Sequence, residues 1–372
     1  MTAAGGERRT IVDSSLLLEG VRRTGTELWN DSCGPADLAY AIENGATGAT
    51  SNPPIVLGIV RAEGATWRTR AREIAVEHPT FGEGEIAWRI VEEVAARGAG
   101  LLAPVHERSG GRHGRLSAQV DPRLHRDAVR MVAQAERLSS LAPNMQVKLP
   151  VTTAGLVAIE EATFRGVEVN ATANFTVAGA VAVAEAVERG LDRRAAAGLQ
   201  GDLHPVCTLM VGRLDDWVRA VCDRDEVLLT PGRAEWAGVA VFKRAFRIYA
   251  ERGYRTRLLG GAFRHHLPWT QLLGGDTILT IPPAWQRWIN ASGLPVEARI
   301  HEPVDPAILD ELLERVPEFR LAYEPDRLAP EDLESYGASR RTMRQFLAAY
   351  TDLQAEVRDA ILPDPDRKPV PA

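Results

Sequence analysis

The chain has 372 residues with a formal net charge of −6, and 45% of the residues are hydrophobic. This composition is that of an ordinary globular protein and excludes general disorder. A chain with a net negative charge does not attract nucleic acid or an anionic membrane surface, so we expect neither as a partner. No segment approaches the roughly 18 uninterrupted apolar residues that a membrane helix needs.

Short β-like runs recur along the chain, and each is followed by a stretch with helical periodicity. There are eight of these runs: GTELWND (25–31), NGATGAT (44–50), GRLSAQV (114–120), NMQVKLP (144–150), GVEVNAT (166–172), HPVCTLMV (204–211), YRTRLLGGAF (254–263) and DTILTIP (276–282).

Strand and helix alternating eight times predicts parallel βαβ units, and eight is the number that closes a (β/α)8 TIM barrel. An open doubly wound sheet is the structural alternative. No GxGxxG pattern follows the first run, which disfavours the dinucleotide-binding version of that alternative.

We divide the chain into an N-terminal segment (1–24), the barrel (25–299), a helical extension (300–362) and a tail (363–372). The tail has proline at four of its ten positions, which predicts disorder. The extension could cover the barrel, lie against its mouth and restrict substrates, or form an oligomer interface. The sequence leaves all three roles open, and with them a possible homo-oligomer.

Polar residues interrupt the apolar pattern where the predicted strands end. In a barrel of parallel strands the active site lies at these carboxyl ends. Each residue alone could instead cap a helix or close a strand, but together they predict one site on one rim. They are Asp31, Thr50, Ser51, Asn52, Gln119, Lys148, Asn170, Thr172, Thr208, Arg213 and Arg264.

Lys148 is the most unusual member of this set. Of the 44 basic residues only Lys148, Lys243 and Lys368 are lysines, so 41 are arginines (44 minus 3). A buried lysine can lose its proton, whereas arginine effectively cannot. Lys148 is therefore either an amine nucleophile or a lysine whose ammonium reaches water at a strand end.

The chemistry that this set supports is Schiff-base catalysis, in which a neutral lysine amine condenses with a ketone and the iminium accepts electrons as a C–C bond breaks. We expect burial among Val147, Leu149 and Val151 to lower the lysine pKa towards about 7–8. Asp31 is the acidic residue at the right level to move the proton of a substrate hydroxyl. Amide and hydroxyl groups would hold substrate hydroxyls and the expelled water, and Asn52, Gln119, Asn170 and Thr172 fit that role.

An anionic end of the substrate is indicated by VGRLDDW (211–217) and GGAFRHH (260–266). Consecutive glycines let backbone N–H groups approach a phosphate, and Arg213 and Arg264 offer further donors. The alternative is a turn with an arginine–aspartate pair, in which Asp215 or Asp216 is the partner.

Six motifs, from about residue 27 to about residue 290, resemble those of the transaldolases, Schiff-base aldolases on a (β/α)8 barrel that move a dihydroxyacetone unit between sugar phosphates. This resemblance implies that Lys148 forms the Schiff base and Asp31 is the acid/base. It also implies that Asn52 and Asn170 hold substrate hydroxyls, Thr172 holds the catalytic water, and Arg213 and Arg264 bind phosphate. The motifs are GATSNP (48–53), VKLPVTTAG (147–155), VEVNATANFT (167–176), VGRLDDW (211–217), GGAFRHH (260–266) and ILTIPP (278–283).

Two positions depart from the family pattern. Gln119 stands where typical transaldolases have a glutamate, and Ala262 stands where they have a serine. A glutamine in SAQVD resembles the fructose-6-phosphate aldolases, which release the free three-carbon unit. Transfer and plain aldol cleavage both remain open.

Two other hypotheses are a barrel that binds phosphosugars without catalysis and a metal-dependent aldolase. Gln119 is the feature that favours the first. The second is poorly supported, because the histidines show no HxH or HExxH spacing and His265 and His266 would face different directions on a strand. We expect no metal and no cofactor, and a sugar or sugar phosphate as the small-molecule partner.

The cellular compartment is indicated by the cysteines and the N-terminus. Three widely spaced cysteines, an odd number, are typical of reduced thiols. The first residues lack the apolar core of a signal peptide. We therefore expect a cytoplasmic protein.

Overall fold

Eight parallel strands close into a barrel in the computed structural model, which describes residues 15–366. The strands follow one another around the barrel in chain order, β1 to β8, and β8 pairs with β1. This topology confirms the predicted (β/α)8 fold and excludes the open doubly wound sheet. Most of the tail predicted to be disordered, and the first part of the N-terminal segment, lie outside the described residues.

All eight predicted strands are present. Seven lie within the predicted runs, and β5 extends two residues beyond its run. Their bounds are β1 Glu27–Asn30, β2 Ala46–Thr50, β3 Arg115–Gln119, β4 Met145–Pro150, β5 Val169–Asn174, β6 Val206–Leu209, β7 Arg257–Gly260 and β8 Thr277–Ile281.

Helices surround the barrel, precede it and follow it. They are α1 Leu16–Thr24, α2 Pro35–Glu43, α3 Pro53–Ala62, α4 Gly64–Glu77, α5 Glu83–Arg108, α6 Ala128–Ser139, α7 Thr153–Arg165, α8 Val177–Ala196, α9 Val211–Arg224, α10 Ala237–Arg252, α11 Leu267–Leu272, α12 Pro283–Ser292, α13 Pro306–Arg315, α14 Pro317–Tyr323 and α15 Gly337–Ile361. Short 3-10 turns occur at Pro122–Leu124, Ala234–Trp236 and Pro330–Ser335.

Side-chain caps set where several helices begin after the strands. The Thr152 side chain accepts a hydrogen bond from the Gly155 N–H at the start of α7, and Thr176 does the same for Gly179 in α8. Such caps pair N–H groups that have no partner inside the helix. At the other end of α7, Gly166 adopts a left-handed conformation with φ of 89°, which glycine accepts without strain.

The register of β3, β4 and β5 places three predicted site residues at one level of the barrel. Gln119 is paired with Lys148, and Lys148 with Asn170. Side chains of parallel neighbours at one level point to the same face of a sheet. These three side chains therefore lie side by side around the barrel wall.

The last helix, α15, is anchored across the outside of the barrel. Its apolar face buries Phe346, Leu353 and Val357, with Leu353 and Val357 packing in a cluster shared with α3, α4 and α5. The Tyr350 hydroxyl donates a hydrogen bond to the Gly84 carbonyl. Gly337 and Gln345 in the first half of α15 contact α9, which brings the extension to the carboxyl end of β6, since α9 follows that strand directly.

No helix within residues 15–366 is long and apolar enough to cross a membrane.

Gly337, the first residue of α15, packs against the ring of Trp217 in α9. A Cβ at this position would lie 1.9 Å from the Trp217 ring. We expect Gly337→Ala to lower the free energy of unfolding by about 1–3 kcal/mol, because the rigid indole must move. Denaturant unfolding measures the change.

Gly58 in α3 is the matched control, since a Cβ there meets no atom within 4 Å. Gly58→Ala should raise the free energy of unfolding by about 0.5–1 kcal/mol through helix propensity alone. Equal effects of the two substitutions would contradict the packing described for α15.

Candidate active site

Lys148 lies inside the barrel, and only 3% of its surface is exposed. Its Nζ donates a hydrogen bond to the Ser51 carbonyl at 3.2 Å. Burial lowers the pKa of Lys148 to about 8, the negative charge of Asp31 acts in the opposite direction, and the positive charge of Arg213 lowers it further. A sizeable fraction of this amine is therefore neutral near physiological pH.

The Lys148 amine is buried inside the barrel. Val147, Leu149 and Val151 belong to the main apolar core. Successive side chains of a strand point to opposite faces, so Lys148 points inward while Val147 and Leu149, its neighbours in β4, point outward. The lowering of the pKa that we expected is present, and burial is its main cause.

Asp31 follows β1 and is held by two threonines from neighbouring strands. The Thr50 hydroxyl donates to Asp31 Oδ1 at 2.8 Å, and Thr50 and Thr280 hydroxyls are 2.8 Å apart. Because Thr50 uses its proton on Asp31, Thr280 must donate to Thr50. Burial raises the pKa of Asp31, whereas the positive charge of Lys148 and the Thr50 hydrogen bond lower it.

Thr280 is a candidate positioning residue that the sequence analysis missed. Within ILTIPP it resembles any β-branched residue that favours a strand. Its role depends on the pairing of β8 with β1, which brings it beside Asp31 and Thr50. The only sequence signal was its place within one of the six quoted motifs.

Gln119 and Thr172 contribute buried polar atoms that lack a protein partner. Within residues 15–366, Gln119 Oε1 and Thr172 Oγ1 accept or donate no hydrogen bond, although both residues are buried. Native proteins rarely leave such atoms unpaired, and those that exist mark functional sites or positions for bound water. Both atoms are available to a substrate hydroxyl or to a water molecule.

Asn170 and Thr208 are joined in a buried hydrogen-bond network. Thr208 Oγ1 donates to Asn170 Oδ1 at 2.7 Å, and Asn170 Nδ2 donates to Ser117 Oγ at 3.0 Å. This network links β3, β5 and β6 directly beside Lys148. It fixes the orientation of the Asn170 amide and leaves one N–H and one lone pair for a ligand.

Ser51 and Asn52 perform structural tasks at the end of β2. Ser51 supplies the carbonyl that accepts from Lys148, and its hydroxyl accepts from Cys33 Sγ at 3.4 Å. Asn52 caps α3, since its Oδ1 accepts from the Ile55 N–H at 3.0 Å. The sequence analysis gave helix capping as an alternative role for polar residues at strand ends. The side-chain oxygen of Asn52 has that role.

Arg213 and Arg264 approach one another because Gly212 packs directly on the loop after β7. A Cβ on Gly212 would lie 2.0 Å from the Ala262 carbonyl oxygen, so only glycine permits this contact. Arg213 donates to Gln345 Oε1 and lies over the Phe346 ring, 5.5 Å from its centroid. Both partners belong to α15.

Arg264 forms an arginine–aspartate pair, which the sequence analysis gave as the alternative to phosphate binding. Its Nε donates to Asp216 Oδ2 at 2.9 Å, and its Nη1 donates to the Phe263 carbonyl at 3.1 Å. The structure thus brings both arginines to the rim near Asp31, but each already has a protein partner.

His265 pairs with Asp215, a fully buried carboxylate, at 2.9 Å between Nε2 and Oδ2. Burial raises the pKa of Asp215 to about 6, while His265 acts to lower it. Within residues 15–366, no group of three or more His, Cys, Asp or Glu residues could hold a metal ion. His265 is thus a half-buried residue paired with a buried carboxylate, directly after Arg264 in the chain.

The arrangement combines a desolvated amine, a carboxyl group beside it and unpaired polar atoms on two adjacent strands. Such a set can condense an amine with a carbonyl, move a proton and hold hydroxyl groups.

The Transaldolase/Fructose-6-phosphate aldolase family matches residues 28–356. This match is longer than the six motifs indicated, because it includes most of the helical extension. The last of the six motifs ends at residue 283, before the extension begins.

Individual relatives agree with the family match. "Transaldolase" of Thiobacillus denitrificans is 32% identical over 377 residues, which cover 92% of this chain and 99% of the relative. "Transaldolase 1" of Streptomyces coelicolor is 31% identical over 310 residues, which cover 76% of this chain and 78% of the relative. "Transaldolase 1" of Streptomyces avermitilis is 30% identical over 274 residues, 70% of this chain and 71% of the relative. The chain is an enzyme of the transaldolase/aldolase type and belongs to the transaldolase/fructose-6-phosphate aldolase family.

Proposed function

We propose that this enzyme removes a dihydroxyacetone unit from a phosphorylated ketose through a Schiff base on Lys148. The observation that carries the proposal is the buried amine, with its pKa lowered to about 8, beside the Asp31 carboxyl. A lysine with the usual pKa near 10.4 would be protonated and not nucleophilic at neutral pH.

In the proposed reaction, Lys148 Nζ attacks the ketone carbon of the substrate and a carbinolamine forms. Loss of water gives the iminium. The Asp31 carboxylate then accepts the proton of the hydroxyl on C4, the C3–C4 bond breaks as C4 becomes the carbonyl carbon of the leaving aldehyde, and the electron pair of that bond passes into the iminium to form an enamine. Thr50 and Thr280 orient Asp31 for this step.

Gln119 and Thr172 are proposed to handle the water that is lost and regained at the iminium. The supporting observation is that Gln119 Oε1 and Thr172 Oγ1 are buried without protein partners. A glutamine amide cannot take up a proton, so proton transfer to that water must pass through Asp31 and the Thr172 hydroxyl. Asn52, Asn170, Thr208 and Ser51 then complete the sugar-hydroxyl contacts.

The fate of the enamine decides between two candidate functions. If an aldose phosphate captures it, the enzyme is a transferase of the dihydroxyacetone unit. If a proton captures it, the enzyme is an aldolase of the fructose-6-phosphate aldolase kind, and Gln119 in place of a glutamate favours that second function.

The proposal also includes the cellular compartment and the partner of the enzyme. Cys33, Cys207 and Cys222 are free and buried, as expected in a reducing compartment such as the cytoplasm. The net charge of −6 disfavours nucleic acid as a partner, and the proposed reaction takes a small sugar phosphate. A homo-oligomer is compatible with the proposed site.

Borohydride reduction in the presence of dihydroxyacetone or fructose 6-phosphate tests the Schiff base. We expect a stable adduct on Lys148 by mass spectrometry, and none in Lys148→Met, whose folded state circular dichroism verifies. Lys243 is an internal control, because burial also lowers its pKa to about 8 while its Nζ is bonded to the Arg299 and Glu302 carbonyls. An adduct on Lys243 instead, or no adduct with a panel of ketoses, would refute the proposal.

The pH dependence of trapping tests the electrostatics of Lys148. Because its pKa is about 8, the rate of adduct formation should rise with pH with a midpoint near that value as the neutral amine accumulates. Asp31→Asn should move the midpoint down, because the aspartate charge raises the lysine pKa. Arg213→Gln should move it up, since a nearby positive charge is removed. Shifts in the same direction would contradict the arrangement.

Product analysis separates transfer from cleavage. With fructose 6-phosphate as donor and erythrose 4-phosphate as acceptor, a transferase yields the seven-carbon ketose phosphate with little free dihydroxyacetone. An aldolase accumulates dihydroxyacetone whether or not the acceptor is present. Chromatography with enzymatic detection of dihydroxyacetone measures the ratio.

A further inference from the structure

The loop after β7 (residues 261–266) begins against the candidate active site. A Cβ on Gly261 would lie 2.9 Å from Thr280 Cγ2 and 3.9 Å from Thr208 Cγ2, so the loop backbone packs on two strands of the site. Thr280 is hydrogen-bonded to Thr50, which donates to Asp31. The loop therefore reaches the Asp31 carboxyl through two intervening threonines.

Arg264 carries the positive charge of this loop, and that charge acts on the same site. Burial raises the pKa of Asp31, and the positive charges of Arg213 and Arg264 are among the groups that lower it. Burial also lowers the pKa of Arg213, and the neighbouring charge of Arg264 lowers it further. Two guanidinium groups held this close to one another favour a bound anion.

The bonds that Arg264 itself makes do not fix the loop. Its ion pair with Asp216 joins side chains that are 38% and 34% exposed, and exposed pairs of this kind contribute little to stability. A phosphate would compete with Asp216 for the same N–H groups. The other two bonds of Arg264 go to the Ala262 and Phe263 carbonyls, within the loop itself.

The backbone of the loop is strained at Ala262. Its φ is 62°, in the left-handed region that residues other than glycine rarely adopt. Such a conformation costs free energy and persists only where surrounding contacts enforce it. One of these contacts comes from α9, where a Cβ on Gly212 would lie 2.0 Å from the Ala262 carbonyl oxygen. The loop therefore depends on its attachment to α9.

Asp215 in α9 and His265 in the loop supply a buried attachment. His265 Nε2 and Asp215 Oδ2 are 2.9 Å apart, and Asp215 is fully buried while 12% of the His265 side chain is exposed. The second oxygen, Asp215 Oδ1, accepts from the Gly238 N–H at 2.8 Å. Gly238 lies at the start of α10. The Asp215 carboxyl therefore ties the loop to both α9 and α10.

The hydrogen bonds of His265 assign its tautomer. The Leu267 N–H lies 3.3 Å from His265 Nδ1, which is therefore the acceptor. Nε2 then carries the ring proton and donates it to Asp215 Oδ2. Burial raises the pKa of Asp215 to about 6, and the His265 hydrogen bond acts to lower it. Asp215 is thus a carboxylate at neutral pH, and it accepts a hydrogen bond at each oxygen.

The two aspartates of α9 differ in what their loss of a partner costs. A buried carboxylate that loses a donor is strongly destabilising, so the bond between Asp215 and His265 is retained. The exposed pair of Asp216 and Arg264 is exchangeable. The loop can therefore give up Asp216 to a phosphate while His265 keeps it in place.

From these contacts we infer that Asp215 and His265 are positioning residues for phosphate binding, which hold the loop after β7 so that Arg264 lies beside Arg213 at the rim. The inference rests on the proposed function, in which the ketose is phosphorylated, and on the resemblance that implies these two arginines as its phosphate ligands. Asp215 and His265 act through Arg264.

The test removes the donor of the buried hydrogen bond. His265→Leu has no donor, whereas the side-chain amide of His265→Gln can still donate to Asp215. The assay is the release of glyceraldehyde 3-phosphate from fructose 6-phosphate, a step common to transfer and cleavage. We expect His265→Leu to raise the KM about tenfold and to leave kcat within about twofold of the parent, because the phosphate is bound equally in ground and transition states. His265→Gln should restore the KM to within about threefold of the parent value.

Dihydroxyacetone has no phosphate and supplies the internal control. The dihydroxyacetone concentration that half-saturates borohydride trapping on Lys148 should be the same in the parent and in both His265 variants. The matched control variant is His266→Leu, one position along the chain, where the side chain is exposed and forms no capping hydrogen bond with α11. This variant should behave like the parent enzyme.

Three results would overturn the inference. The first is an unchanged KM for fructose 6-phosphate in His265→Leu, and the second is an equal rise in His266→Leu. The third is a loss of dihydroxyacetone trapping in His265→Leu in proportion to the rise in KM, which would give the pair only a role in the fold. If His265→Leu does not fold, His265→Asn replaces it, because that polar side chain is too short to reach Asp215, and the same rise in KM is expected.

Failure of the proposed function has a different signature. If dihydroxyacetone leaves no adduct on Lys148 in the parent enzyme, the Schiff base is wrong. Thermal stabilisation by inorganic phosphate would still support the inference if it is present in the parent and in His265→Gln but lost in His265→Leu and Arg264→Gln. Stabilisation that persists in His265→Leu or in Arg264→Gln would overturn it.

Discussion

The site depends on the cost of placing a lysine amine inside a barrel. Burial of a charged ammonium costs several kcal/mol, and the protein meets this cost partly by lowering the pKa of Lys148 to about 8. The remaining charged form is stabilised by the Ser51 carbonyl and by Asp31, so at neutral pH the amine is mostly protonated with a neutral fraction far larger than that of an exposed lysine. Gln119 and Asn170 are placed beside this nitrogen by the register of β3, β4 and β5.

The barrel and most of the rim could be predicted from sequence because both depend on local patterns. Apolar runs predict strands, and the polar residues at their ends lie together in any barrel of parallel strands. The scarcity of lysine was a weaker guide. Lys243 is as rare in type as Lys148, and it is also buried with a pKa lowered to about 8. Its Nζ, however, donates hydrogen bonds to the Arg299 and Glu302 carbonyls and so holds that segment in place. Composition cannot separate a nucleophile from a structural lysine.

What could not be predicted depends on contacts between residues far apart in the chain. Gln345 binds Arg213 across 132 positions, and Thr280 reaches Thr50 across 230. Neither contact leaves a motif, because each requires only one side chain of suitable length at the right place in three dimensions. The path of α15 across the outside of the barrel is of this kind, since its packing face shows only ordinary helical periodicity.

The two faces of α15 differ in burial. Residues on the inner face, such as Phe346 and Leu353, are part of the folded core, whereas Arg340 and Arg344 are exposed. Substitutions at these exposed positions cost little stability. The exposed face of α15 can therefore change in sequence while the buried face keeps the extension fixed on the barrel.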